Sequence, residues 1–90
     1  FGKKHAQVQT VAWCSGGAQS YLKHAIDIGA DCFITGEVSE QIPAIAKENN
    51  IAFIAAGHHA TERYGVQALT QHLAQQFSLE HQYIDIDNIV

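Results

Sequence analysis

The feature that most constrains this chain is a punctuation that occurs three times. A short apolar run ends in a glycine turn, and a segment with helical spacing follows. Residues 8–14 (VQTVAWC) close on Ser15-Gly16-Gly17, residues 32–35 (CFIT) on Gly36, and residues 51–56 (IAFIAA) on Gly57. Brief runs of β-branched and aromatic residues, apolar on both sides, read as strands of a parallel sheet covered by helices. Residues 18–28 carry Tyr21, Leu22, Ala25, Ile26 and Ile28 near helical spacing and stop at Gly29. Residues 39–48 place Ile42, Ile45 and Ala46 on one face, with Ser39 expected as N-cap, Pro43 in the first turn and Asn49-Asn50 as the break. A long helix is predicted over residues 61–77, with Tyr64, Ala68, Leu69, Leu73 and Phe77 on one face. Residues 82–86 (QYIDI) alternate and predict a last strand with one face exposed. The expected order is βαβαβαβ, an α/β fold with a mostly parallel four-stranded sheet, helices on its faces and right-handed crossovers.

Ninety residues leave room for a single domain, here 1–90. The 47% apolar content supports a core and excludes a disordered tail, while the 16% charged share is low enough to suggest that part of the surface is covered. A net charge of −4 without a basic stripe excludes ordinary nucleic-acid binding; the basic pair Lys3-Lys4 stands alone with His5 near the start. No apolar run approaches the ~18 residues of a membrane span, and no signal peptide opens the chain. Cys14 and Cys32 sit in apolar runs, which favours reduced thiols and a cytoplasmic setting. The chain opens on Phe1 and contains no Met, as expected of a fragment or a processed product.

Ligands of open parallel sheets bind at the carboxyl ends of the strands. Here those ends bring small, acidic and imidazole residues to one edge: Ser15-Gly16-Gly17, Thr35-Gly36-Glu37 and Gly57-His58-His59. In GHHATERYG (residues 57–65), His58 and Glu62 stand four apart, so a helix starting near His58 projects both from one face. That pair can chelate a divalent ion such as Zn, Mn or Fe. It can equally be a helix start with a glutamate near the positive end of the dipole, and two protein ligands do not complete a site. Glu37 reads either as an acid or base acting through water or as an exposed loop carboxylate. His59 and Arg63 form a second pair with the same spacing, rotated from the first; either one of them faces the ligand edge or, the favoured expectation, both are in solvent. The Ser15-Gly16-Gly17 turn matches neither dinucleotide nor Walker spacing. Trp13 is expected in the core or an interface, His24, His72 and His81 in solvent, and Cys14 lacks the neighbours of a nucleophile.

Three strings in order, VAWCSGGAQSYL, FITGEVSEQ and AAGHHATERYG, together with the closing YIDIDN, resemble the C-terminal part of the YbgI-type dinuclear metal-binding proteins. These are catalogued as GTP cyclohydrolase 1 type 2 homologues and are also called NGG-interacting-factor-three-like (NIF3-like) proteins. The resemblance runs from about Val11 to Asn88. It implies that the chain is a three-layer α/β half-domain, the C-terminal half of a protein whose two related halves face each other across a cleft with two metal ions. The G-H-x-x-x-E string carries metal ligands onto His58 and Glu62, and the T-G-E string brings Glu37 to the same cleft. Where some relatives have a His shortly after that string, Gln41 stands here, so no metal role is carried over to it. The family's other ligands, a His-His pair and an Asp, belong to the N-terminal half. The resemblance further implies a toroidal hexamer built by self-association. Its catalogue name implies a metal-dependent hydrolase that opens a purine ring at C8, with the substrate of this chain unknown. The alternative is a non-catalytic metal-binding oligomeric scaffold, and the blandest expectation is a module that only self-associates.

Overall fold

The computed structural model describes residues 1–2 and 7–90; Lys3, Lys4 and His5 lie outside them. β1 (Val11–Trp13), β2 (Cys32–Thr35) and β3 (Ala52–Ala55) form a parallel sheet in the order β1-β2-β3. The register sets Val11, Cys32 and Ala52 abreast, then Ala12, Phe33 and Phe53, then Trp13, Ile34 and Ile54. Side chains alternate between faces, so Phe33 and Phe53 share one face while Trp13, Ile34 and Ile54 share the other.

Strands added in sequence order by right-handed crossovers put both connecting helices on the same face. A 3-10 turn, Gln19–Tyr21, leads into α1 (Leu22–Asp27), and α2 (Ile42–Glu48) follows β2. Leu22 and Ala25 of α1, Ile42 and Ala46 of α2, and Ala30 and Ile51 close over Phe33 and Phe53, whose rings tilt against each other at 5.8 Å. That is the core. Both helices end where predicted. Ala30 N–H donates to the Ala25 carbonyl, and Ile51 N–H to the Ala46 carbonyl past Asn50, which adopts φ 53°. Pro43 lies in the first turn of α2 as expected, but Ser39 is not its N-cap. Gln41 holds that position without a side-chain cap, and the Ser39 carbonyl instead accepts from Ile42 N–H.

The opposite face is largely open. Trp13 is 77% exposed, so it belongs to a surface and not to the core; Val11 and Ile54 are exposed with it. The third layer is begun only by the root of α3 (His58–Phe77), where Thr61 borders the same shallow hollow as Trp13 and Ile34. The rest of α3 projects outward. The molecule measures 52 × 25 × 22 Å with a radius of gyration of 16.6 Å, against about 12 Å for a compact chain of this length. Tyr64, Leu69, Leu73 and Phe77 are exposed, and Ala74 is the one buried residue of α3. α3 also starts at His58, ahead of the predicted residue 61, and ends at Ser78 in the left-handed conformation.

The α/β class and parallel sheet stand as expected, with three strands where four were predicted. Residues 82–86 form no strand. The alternation is real but its faces are reversed. Ile84 and Ile86 are exposed, while Asp85 turns to α3 and accepts from Arg63 Nη2 at 2.8 Å. At Phe53, the outer edge of β3 is already taken, because Phe1 and Phe53 exchange both backbone hydrogen bonds. Among the described residues no helix is long and apolar enough to cross a membrane. Cys14 and Cys32 are free thiols, and burial pushes the Cys32 pKa up.

Candidate functional site

The three glycine turns meet at the carboxyl edge of the sheet. The ladder continues past the strands: Gly36 N–H donates to the Gly16 carbonyl at 2.9 Å, and Gly57 N–H to the Gly36 carbonyl at 3.0 Å. The buried Thr35 hydroxyl donates to the same Gly16 carbonyl at 3.1 Å. These bonds stack the Ser15-Gly16-Gly17, Gly36-Glu37 and Gly57-His58 turns side by side, at the one edge where the sequence placed them.

Two glycines are required by this packing. A Cβ on Gly36 would lie 2.7 Å from both the Gly16 carbonyl oxygen and His58 Cα, inside any tolerable contact. Gly16 adopts φ +73°, and a Cβ there would meet Glu62 Oε1 at 3.0 Å and His58 Nε2 at 3.1 Å. Gly16 is therefore the bare floor beneath the two residues singled out as metal ligands.

Because α3 begins at His58, that imidazole stands on the first turn with Glu62 one turn on. His58 Nδ1 lies 2.6 Å from Glu37 Oε1, and His58 Nε2 lies 2.9 Å from Glu62 Oε2. All three predicted site residues thus form one chain of contacts, with the imidazole between two carboxylates. The hydrogen bond that His58 makes to Glu37 is the largest influence on its pKa; desolvation, the next, opposes it, and the negative charges of Glu62 and Glu37 add to the rise, so the pKa stands above the ordinary histidine value. Glu37 stands behind the ring, on the nitrogen away from Glu62.

The donor set fits a divalent first-row ion in kind: an imidazole nitrogen, a carboxylate oxygen, and a second carboxylate on the far ring nitrogen to set the tautomer. It does not fit in number. Among the described residues no group of three or more His, Cys, Asp or Glu side chains is arranged to hold a metal ion.

For His59 and Arg63 the favoured expectation, a solvated pair, is corrected; both line the cavity at the ligand edge. They reach the returning C-terminal segment, where Arg63 Nη2 meets Asp85 Oδ2 at 2.8 Å and His59 Nε2 comes within 3.6 Å of Asp85 Oδ1. His59 N–H also donates to the Val90 carbonyl at 2.8 Å. This segment walls an open cavity of about 560 Å³ shared by Glu37, His58 and Glu62 on one side and Arg63, Tyr83 and Asn88 on the other. Asp85 lies 22 residues beyond Arg63, so sequence spacing held no signal for the pair. His24, His72 and His81 are exposed, and Cys14 is half-buried.

Residues 1–89 match the family model described as Duf34/NIF3 (NGG1p interacting factor 3). The chain is 51% identical over 87 residues to a protein of Allochromatium vinosum named GTP cyclohydrolase 1 type 2 homolog, covering 97% of this chain and 34% of that one. It is 58% identical over 81 residues to the Pseudomonas aeruginosa protein of the same name, covering 90% and 32%. Of solved structures, one described as protein ybgI, of unknown function, superposes with a TM-score of 0.86 at 52% identity, over 92% of this chain and 34% of that one. Reduced HcgD from Methanocaldococcus jannaschii superposes with a TM-score of 0.68 at 26% identity, over 78% and 29%. The chain spans about a third of the length of the curated relatives it matches.

Proposed function

The chain belongs to the Duf34/NIF3 family, and on that premise we propose that it carries one side of a dinuclear metal site in a cytoplasmic, GTP cyclohydrolase-like metal-dependent hydrolase. The other side comes from polypeptide of the longer family protein, of which these residues span about a third. One observation carries this reading: His58 is engaged at both ring nitrogens, by Glu37 and by Glu62, above the bare backbone of Gly16. His58 and Glu62 are the ligands. A divalent ion such as Zn, Mn or Fe, two per complete subunit, would supply Lewis acidity and lower the pKa of water.

The chain's own residues prepare that chemistry. Glu37 accepts a hydrogen bond from His58 Nδ1–H, which would leave the Nε2 lone pair for an ion held together with Glu62. Glu37 is thus a positioning residue in the metal-bound state. The absence of a side chain at Gly16 keeps the approach to Nε2 and Glu62 clear. The cavity beyond them is the place for a small-molecule substrate.

Elemental analysis tests the proposal on this chain and on a longer chain that restores the full length of the family protein. The longer chain is expected to hold about two metal ions per subunit. His58→Ala and Glu62→Ala lower that number, and Glu37→Gln weakens metal affinity by roughly 10–100-fold. Metal at background in both chains would overturn the proposal.

A second reading, a non-catalytic metal-binding scaffold, is favoured by the apolar surface left open at Trp13, Ile54, Tyr64 and Phe77. It shares the self-association into a toroidal hexamer that we propose for the complete protein. Turnover separates the two readings: hydrolysis lost in His58→Ala at unchanged sedimentation supports the enzyme, and no hydrolysis by the metal-loaded parent supports the scaffold.

A further inference from the structure

The cavity has a second end that the metal reading does not use. Arg63, His59 and Tyr83 converge on one carboxylate, Asp85, which approaches from the returning C-terminal segment. Arg63 Nη2 donates to Oδ2 at 2.8 Å, and the Tyr83 hydroxyl reaches Oδ1 at 3.5 Å. His59 Nε2 stops 3.6 Å from Oδ1, too far for a hydrogen bond. Both His59 Nε2 and Arg63 Nε are buried without a hydrogen-bond partner. Buried polar nitrogens of this kind are normally satisfied. Asp85 as placed thus leaves two nitrogens of this constellation unserved. A tetrahedral oxyanion brings more acceptor oxygens and matches the guanidinium fork.

We propose that Arg63, with His59 and Tyr83, forms an oxyanion-binding end of this cavity, and that Asp85 occupies it in the ligand-free chain. The inference rests on the reading of the cavity as a substrate site, and it deepens that reading. The substrate carries a phosphate-like group at this end and presents its reacting end to His58 and Glu62. Binding displaces Asp85, so the C-terminal segment that walls the cavity shifts as the ligand enters. No bond forms or breaks in this step. Arg63 exchanges an internal carboxylate for the ligand's oxygens.

The test titrates inorganic phosphate into the chain in the presence of a chelator, followed by NMR of the Arg63 Nε–H and the His59 ring. Phosphate is expected to move both signals. Asp85→Asn, which removes the competing charge, should tighten phosphate binding at least about tenfold, a change of about 1.4 kcal/mol. Arg63→Gln added to Asp85→Asn should abolish that gain. A gain that is absent in Asp85→Asn, or that survives loss of Arg63, overturns the proposal and leaves Asp85 as a tie for the segment. A dispersed amide spectrum verifies folding of each variant. Should Asp85→Asn fail to fold, the parent decides alone: Arg63 Nε–H unmoved at saturating phosphate sinks the idea. Because the chelator removes metal from the readout, failure of the metal site leaves this result intact. Metal content of the same variants in the longer chain reports separately on the first proposal.

Discussion

α2 and α3 show two ways of being a helix in one small protein. α2 has seven residues, far below the length at which an isolated helix persists in water. It holds because Ile42 and Ala46 are buried against Phe33 and Phe53. α3 has twenty residues and only Ala74 buried. Its length supplies local hydrogen bonding, and its tie to the rest is concentrated at the root, where Gly57, His58, His59 and Arg63 engage the sheet edge and the C-terminal segment. Core packing and site geometry are thus held by different regions, and the site sits at the joint.

Substitutions that damage one region and spare the other would sharpen that contrast. The largest effect is expected from Phe53→Ala, which removes a fully buried ring from between the helices and the sheet. It should cost about 3–5 kcal/mol, enough to leave much of the chain unfolded. Leu69→Ala on exposed α3 should stay within about 0.5 kcal/mol. Urea unfolding of both measures the gap, and equal losses would mean that α3 is packed after all. Gly36→Ala comes next. Its methyl meets backbone on two sides, at Gly16 and His58. We expect a loss of about 1–3 kcal/mol, together with displaced His58 ring resonances, because the clash lies at the root of α3. Unchanged resonances would show that the joint can give.

The smallest effect is one of pH. The folded-state His58 pKa is raised, first by the Glu37 hydrogen bond and then by the nearby charges. The stability from this group is therefore fully present below the unfolded value of about 6.5. It is lost as pH rises through the folded value. With metal removed by chelator, the chain should be slightly more stable at mildly acidic than at alkaline pH from this source. Glu37→Gln should lower the His58 pKa and flatten that slope. NMR titration of the His58 ring checks it, and a pKa unmoved by Glu37→Gln would mean that the contact is not formed in solution.

Much of this architecture was legible because its signals are local. The glycine after each apolar run marked the strand ends, and Gly29 and Asn50 marked the helix ends, since a left-handed residue is a property of the chain at that point. The His58–Glu62 pair was legible because four residues make one helical turn. The exposed faces were not. Tyr64, Leu69, Leu73 and Phe77 make an apolar stripe that ordinarily announces a buried face, yet here the face is open. Apolar spacing says that a side should be covered without saying by what. The strand predicted at residues 82–86 failed for a related reason. Period-two alternation identifies an extended segment but cannot say which of its faces turns inward, and the Arg63–Asp85 pair turned the acidic one.

By itself the sequence determined the order of elements as far as α3, the parallel α/β class and the residue types available at the carboxyl edge. All of these depend on contacts within a few residues of one another. Only the tertiary structure decided that Glu37 would stand behind His58, that Gly16 would lie beneath it, and that Asp85 would come back to Arg63. Each of these joins residues at least 21 positions apart. Such contacts are set by strand register and by the direction in which α3 leaves the sheet, quantities that no local spacing encodes.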